Sequence, residues 1–126
     1  MSTVVETCMV GLAGALGAAA RYLLGRFIAE ATGSQIPLGT LVINITGAFV
    51  IGLLFALASH KLISSATQLV LATGFLGGYT TYSTMCWEGV QLGRAGSTAL
   101  GMYYLGGTLL LGLGAASLGL LLGGAL

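Results

Sequence analysis

The amino-acid sequence predicts an all-α membrane protein with four transmembrane helices. Apolar residues make up 56% and charged residues 6% of the 126-residue chain, and the mean hydropathy is +1.02; soluble domains carry about 25% charge. Between the ionisable side chains Glu6, Arg21, Arg26, Glu30, His60, Lys61, Glu88 and Arg94, the apolar stretches reach the roughly 20 residues that a bilayer crossing requires. Those stretches must be helical. A lipid-facing backbone has to satisfy its own hydrogen bonds, and the short segments of alternating polarity that build a closed barrel are absent.

Span 1 is placed at about 4–28, span 2 at about 38–59, span 3 at about 65–93 and span 4 at about 97–123. The N-terminus carries no basic leader or A-x-A-like cleavage pattern, so span 1 reads as a permanent crossing and 1–126 as a single four-span domain. Polar turns fall at Glu30 to Pro37, His60 to Ser64 and Arg94 to Ser97. The first and third connections share one side and carry Arg26 and Arg94, against Lys61 and the N-terminal amine on the other. The positive-inside rule therefore gives little instruction, and insertion in both orientations stands beside orientation by other features. A net charge of +1 with no basic tract points away from nucleic acid. Cys8 and Cys86, in no metal or redox spacing, read as buried small hydrophobes.

Small residues recur in stripes: Gly11, Ala15 and Ala19 beside Gly14 and Ala18 in span 1, and Gly112 with Ala116 and Gly119 with Gly123 in span 4. Such stripes let helix backbones approach closely in lipid. Four spans enclose little protected interior, so a polar pathway calls for at least a dimer.

The segment Gly74 to Thr84 in span 3 is poor helix material, with Gly77 and Gly78 followed by Thr80 and Thr81. Either the helix breaks there, freeing carbonyls that can hold a small cation, or the glycines serve a close helix crossing. Asn44 in span 2, Tyr104 and Thr108 in span 4, and Tyr82, Met85 and Glu88 in span 3, with Thr81 and Thr84 alongside, recur at helical spacing. Each polar member reads either as interhelical glue or as a group lining an ion path. Arg21, about one turn from the end of span 1, either snorkels to the interface or anchors the vestibule of an anion pore. Glu88 is placed to orient neighbouring hydroxyls or to carry a proton. Nothing forms a catalytic constellation, which argues against an enzyme.

Gly14-Ala15 with Arg21-Tyr22, Gly39-Thr-Leu-Val-Ile-Asn44 with Gly47, and Thr73-Gly-Phe-Leu-Gly-Gly-Tyr-Thr-Thr-Tyr-Ser-Thr84 with Glu88 form an ordered series over three spans. With that series, and the Tyr104 and Thr108 pair, the chain resembles the Fluc (CrcB-type) fluoride channel family over nearly its whole length. The resemblance implies an antiparallel dual-topology dimer with two narrow pores, either a homodimer or a heterodimer with a paralogue, set in the lipid of a bacterial plasma membrane. It implies a structural sodium ion at the dimer centre, held by backbone carbonyls at Gly77 and Thr80. It also implies that Asn44, Ser83, Thr84 and Tyr104 contribute to the fluoride path, with two aromatic rings beside it. Those rings fall at positions 82 and 85, where the family usually has Phe and this chain has Tyr82 and Met85. Thr108 matches a polar position of the family, and Gly112 stands where a further hydroxyl is common.

The expected function is passive fluoride export that lowers cytoplasmic fluoride. The competing class is a small multidrug-type, proton-coupled exporter, also an antiparallel four-span dimer. That class needs an acidic residue in the middle of span 1, where this chain has Gly, Ala and Leu, with Glu6 only at the end.

Overall fold

The computed structural model describes residues 2–126. Helix α1 (Thr3–Thr32) starts where the Ser2 hydroxyl accepts the Val5 N–H at 3.3 Å and stops at Gly33, whose φ of 57° lies in the left-handed region. It runs past the expected limit near residue 28. Arg26 and Glu30, one turn apart and 2.9 Å from each other, carry it beyond the apolar run. Its 30 residues reach about 45 Å, more than the roughly 30 Å of the hydrocarbon core, so its end projects out of the apolar layer or the helix tilts. Helix α2 spans Leu38–Ser59.

The third crossing is interrupted. Helix α3 (Ser65–Gln68) begins on the Ser64 hydroxyl, which accepts the Thr67 N–H at 3.1 Å. A π-helical segment follows over Leu69–Leu76, then one turn, α4 (Gly77–Tyr79). Thr80 turns to extended geometry (φ −80°, ψ 160°), and helix α5 resumes over Ser83–Arg94. Helix α6 covers Thr98–Ala125. The helices α1, α2 and α6 are each long and apolar enough to cross a membrane, and the broken segment 65–94 supplies the fourth crossing.

Helix α2 lies along α6, and α1 lies along the π-helical segment and α4. Backbone contact is close in both pairs. A Cβ on Gly52 or Gly119 would strike the backbone of Ala116 or Phe49, and one on Gly78 would strike Gly14. Both readings of the span 3 glycines therefore hold in part, since the helix breaks and Gly78, with Gly74, seats it on α1, whereas Gly77 meets nothing on that helix. The stripes differ from expectation in two ways. In α1 the buried positions are Ala13 and Gly17, while Gly11 meets nothing within 4 Å and Ala15 and Ala19 are exposed, because the approach of Gly74 and Gly78 selects that side of the helix. In α6 the stripe is used within the chain, against α2, except at Gly112, which meets nothing.

Two apolar clusters flank the break. Leu54, Ala72 and Leu76 pack with Phe75 and Tyr79 on one side, and Met85, Leu92 and Tyr104 pack with Ile36 and Leu41 on the other. The Gln35 amide donates to the Ser97 hydroxyl at 3.2 Å, which brings the first and third connections together as the spacing predicts. Cys86 is partly buried, but Cys8 is exposed, contrary to expectation. It lies on a face of α1 that no other element covers, as do Leu12, Leu16 and Leu23.

Candidate functional site

A helix interrupted inside an apolar layer must find partners for its freed backbone groups. At this break side chains supply several of them. The Thr80 hydroxyl donates to the Leu76 carbonyl at 2.9 Å, closing α4, and the Thr81 hydroxyl accepts the Thr84 N–H at 3.1 Å, opening α5. The Asn44 amide spans the gap from α2: Nδ2 donates to the Thr81 carbonyl at 2.8 Å, and Oδ1 accepts the Thr81 N–H at 2.9 Å. Asn44 is held there by its neighbours. Ile43 is 2% exposed, and Gly47, one turn on, lets the Thr80 side chain sit against α2.

Two cavities meet at Thr81. The first, a vestibule of about 500 Å³, opens beside the connection between α1 and α2 and is lined by Arg21, Tyr22, Thr40, Thr84 and Glu88. The Thr40 hydroxyl donates to Glu88 Oε1 there. The second, a groove of about 450 Å³, is open on the outer surface and is lined by Asn44, Tyr82, Met85, Thr108 and Gly112, together with Gly77 and Thr80. Tyr82 is 74% exposed, whereas Met85 is 4% exposed. Of the remaining candidates, Ser83 is exposed, its hydroxyl 3.4 Å from that of Thr81, and Tyr104 is buried beside Met85. The Thr108 hydroxyl donates to the Tyr104 carbonyl at 2.6 Å, which commits its only proton.

Two buried polar atoms have no partner among the described residues, Arg21 Nε and the Tyr104 hydroxyl. Both are donors, and an unpaired buried donor calls for water or an anion. Among the described residues no three His, Cys, Asp or Glu side chains converge, so a cation site here has to come from backbone or hydroxyl oxygens. Gly77 and Thr80 line the groove at the break, and carbonyls released by a break suit a hard cation such as sodium.

Sequence reasoning assigned no role to Thr40 or to the Thr81 backbone. Thr40 lies four residues before Asn44, on the same face of α2, and that spacing was the available signal. The Thr81 contact has no signature of its own, because any residue has a backbone.

Fold and site define a multi-pass helical membrane protein whose polar, broken span separates two cavities. The family model described as CrcB-like protein, Camphor Resistance (CrcB), matches residues 8–120. Relatives include the fluoride-specific ion channel FluC of Acidobacterium capsulatum, 44% identical over 115 residues, covering 90% of this chain and 92% of its own. The FluC proteins of Thermus thermophilus and Aquifex aeolicus are each 42% identical over 118 residues, covering 94% and 93% of this chain and 94% and 95% of theirs. The chain belongs to the CrcB-like family.

Proposed function

We propose that this chain is a fluoride-selective channel that exports fluoride passively, working as an antiparallel dimer with a sodium ion at its centre. The observation that carries the reading is the polar break in the third crossing, with a cavity on each side, in a chain closely related to proteins named fluoride-specific channels. Fluoride is small and strongly hydrated, so a path for it must replace water with N–H and O–H donors. Arg21 attracts the anion to the vestibule, and Thr40 holds Glu88 aside as the acceptor of a hydrogen bond. From there Asn44, Ser83, Thr84 and Tyr104 offer hydroxyl or amide donors, and Thr108, its proton committed to the Tyr104 carbonyl, lines the groove beside them. The rim of the Tyr82 ring, positive at its edge, and the apolar wall of Met85 keep the path narrow.

The dimer reading is supported by the openness of the groove and by the nearly even charge balance of the connections. A second copy inverted against that face would enclose both grooves and bring two sets of Gly77 and Thr80 carbonyls together. The sodium ion would be coordinated by those carbonyl oxygens and so fix the two copies. The exporter reading is not favoured, since the middle of α1 carries no acid. Two experiments test the proposal. Liposomes loaded with fluoride or chloride should lose only fluoride through the reconstituted protein; equal loss of both anions overturns the assignment. A C-terminal tag should be reached from both sides of the membrane, and one orientation in every copy would overturn the antiparallel dimer.

A further inference from the structure

The two hydrogen bonds between Asn44 and Thr81 have the pattern of a replaced helical partner. In an uninterrupted helix the Thr81 N–H donates to the carbonyl four residues back, that of Gly77, and the Thr81 carbonyl accepts the Met85 N–H. Here Asn44 Oδ1 takes the N–H at 2.9 Å and Asn44 Nδ2 serves the carbonyl at 2.8 Å. The Gly77 carbonyl is thereby released from its donor. The carbonyl before it is not, since Leu76 accepts both the N–H and the hydroxyl of Thr80, each at 2.9 Å. The break thus falls so that Gly77 is the first carbonyl set free.

We infer that Asn44 is a positioning residue for the cation site: by occupying both backbone groups of Thr81 it holds the break open and keeps the Gly77 carbonyl available to a cation. The inference rests on the sodium reading proposed above and adds to it a cause for the free carbonyl. Only a side chain with a donor and an acceptor side by side can replace both partners of one residue. Asn has this arrangement; Asp keeps the acceptor, which is the half that holds the Thr81 N–H away from Gly77, and loses only the donor to the Thr81 carbonyl, whereas Ala keeps neither. The amide also keeps one N–H uncommitted, so a contact with a passing anion and the bracket on Thr81 are separate uses of the same group. Without Asn44, the Thr81 N–H regains a partner most directly by returning to Gly77, which heals the helix and withdraws the ligand.

The test uses the purified full-length channel in detergent, with thermal unfolding followed as sodium chloride replaces N-methyl-D-glucamine chloride. A cation bound only by the folded protein stabilises it by RT ln(1 + [Na⁺]/Kd), so the sodium concentration that gives a fixed gain in stability, taken as the midpoint, scales with the dissociation constant. Asn44→Ala should raise it roughly tenfold or more, the usual cost of losing a group that orients a metal ligand. Asn44→Asp retains the acceptor for the Thr81 N–H and so should respond to sodium close to wild type, while its carboxylate repels the anion and stops fluoride flux. In channel labelled with ¹⁵N-threonine, the Thr81 amide resonance should shift in Asn44→Ala yet stay protected from solvent exchange, as its return to the Gly77 carbonyl requires. An unchanged sodium midpoint in folded Asn44→Ala, with wild type responding, overturns the inference alone. A wild type indifferent to sodium overturns the cation reading and the inference with it. If Asn44→Ala does not fold, Asn44→Asp decides: a preserved midpoint supports the bracket, and a tenfold loss overturns it.

Discussion

Gly78→Ala tests whether the broken crossing is seated on α1 by direct backbone contact. A Cβ at 78 would lie 2.9 Å from the Gly14 carbonyl carbon and 3.0 Å from its Cα, and closer still to the carbonyl oxygen. These are backbone atoms, so no rotamer change relieves the clash. Ordinary contact begins near 3.4 Å, so α1 and α4 must separate by half an ångström or more. A gap of about 0.5–1 Å already forfeits a quarter to a half of the dispersion energy of the atoms it parts, and overpacking of this kind costs about 1–3 kcal/mol. In lipid, where packing supplies most of the association energy between helices, that loss is not offset by hydrophobic burial. The assay is unfolding in mixed micelles followed by circular dichroism, with Gly106→Ala as the control, because a Cβ there meets nothing within 4 Å. Gly106→Ala should be neutral or slightly stabilising. Gly78→Ala as stable as the control would refute the close seating and the helix arrangement drawn from it.

Three further outcomes are expected. Lys61 has a φ of 59°, a left-handed conformation costing a residue with a Cβ about 1–2 kcal/mol, so Lys61→Gly should raise the unfolding midpoint and leave fluoride flux unchanged. Thr40→Val removes the hydroxyl that donates to Glu88; leaving a partly buried acceptor unpaired costs about 1–3 kcal/mol, and fluoride efflux per folded channel should fall. Met85 is 4% exposed and packs with Leu92 and Tyr104, so Met85→Phe should keep fluoride selectivity, whereas Met85→Ser should lose both stability, by about 2–5 kcal/mol, and unitary conductance. An unchanged unitary conductance in Met85→Ser would show that this side chain packs the helices without bordering the path.

Much of the fold was legible because membrane spans announce themselves through length and apolarity, and the limits of α2 matched within the precision of such readings. The end of α1 was missed because a charged pair continued the helix outside the apolar run. Break and polar cluster were legible from Gly77, Gly78, Thr80 and Thr81, whose propensities conflict with a helix. The π-helical turns of Leu69–Leu76 were not, since that stretch reads as an ordinary apolar helix. Which small-residue stripe each helix buries was also hidden. Span 1 has small residues on two faces, and only the position of Gly74 and Gly78 selects between them. The partition of candidates between vestibule and groove depends on helix rotation and on the Asn44 bracket, neither of which has a local signal.

Passive, fluoride-selective conduction is tested most directly by recording from the purified protein in a planar bilayer with a fluoride gradient. The account predicts current whose reversal potential follows the fluoride gradient, is indifferent to an imposed pH gradient, and disappears when chloride replaces fluoride. A reversal potential that tracks protons, or currents of equal size in chloride, would contradict it.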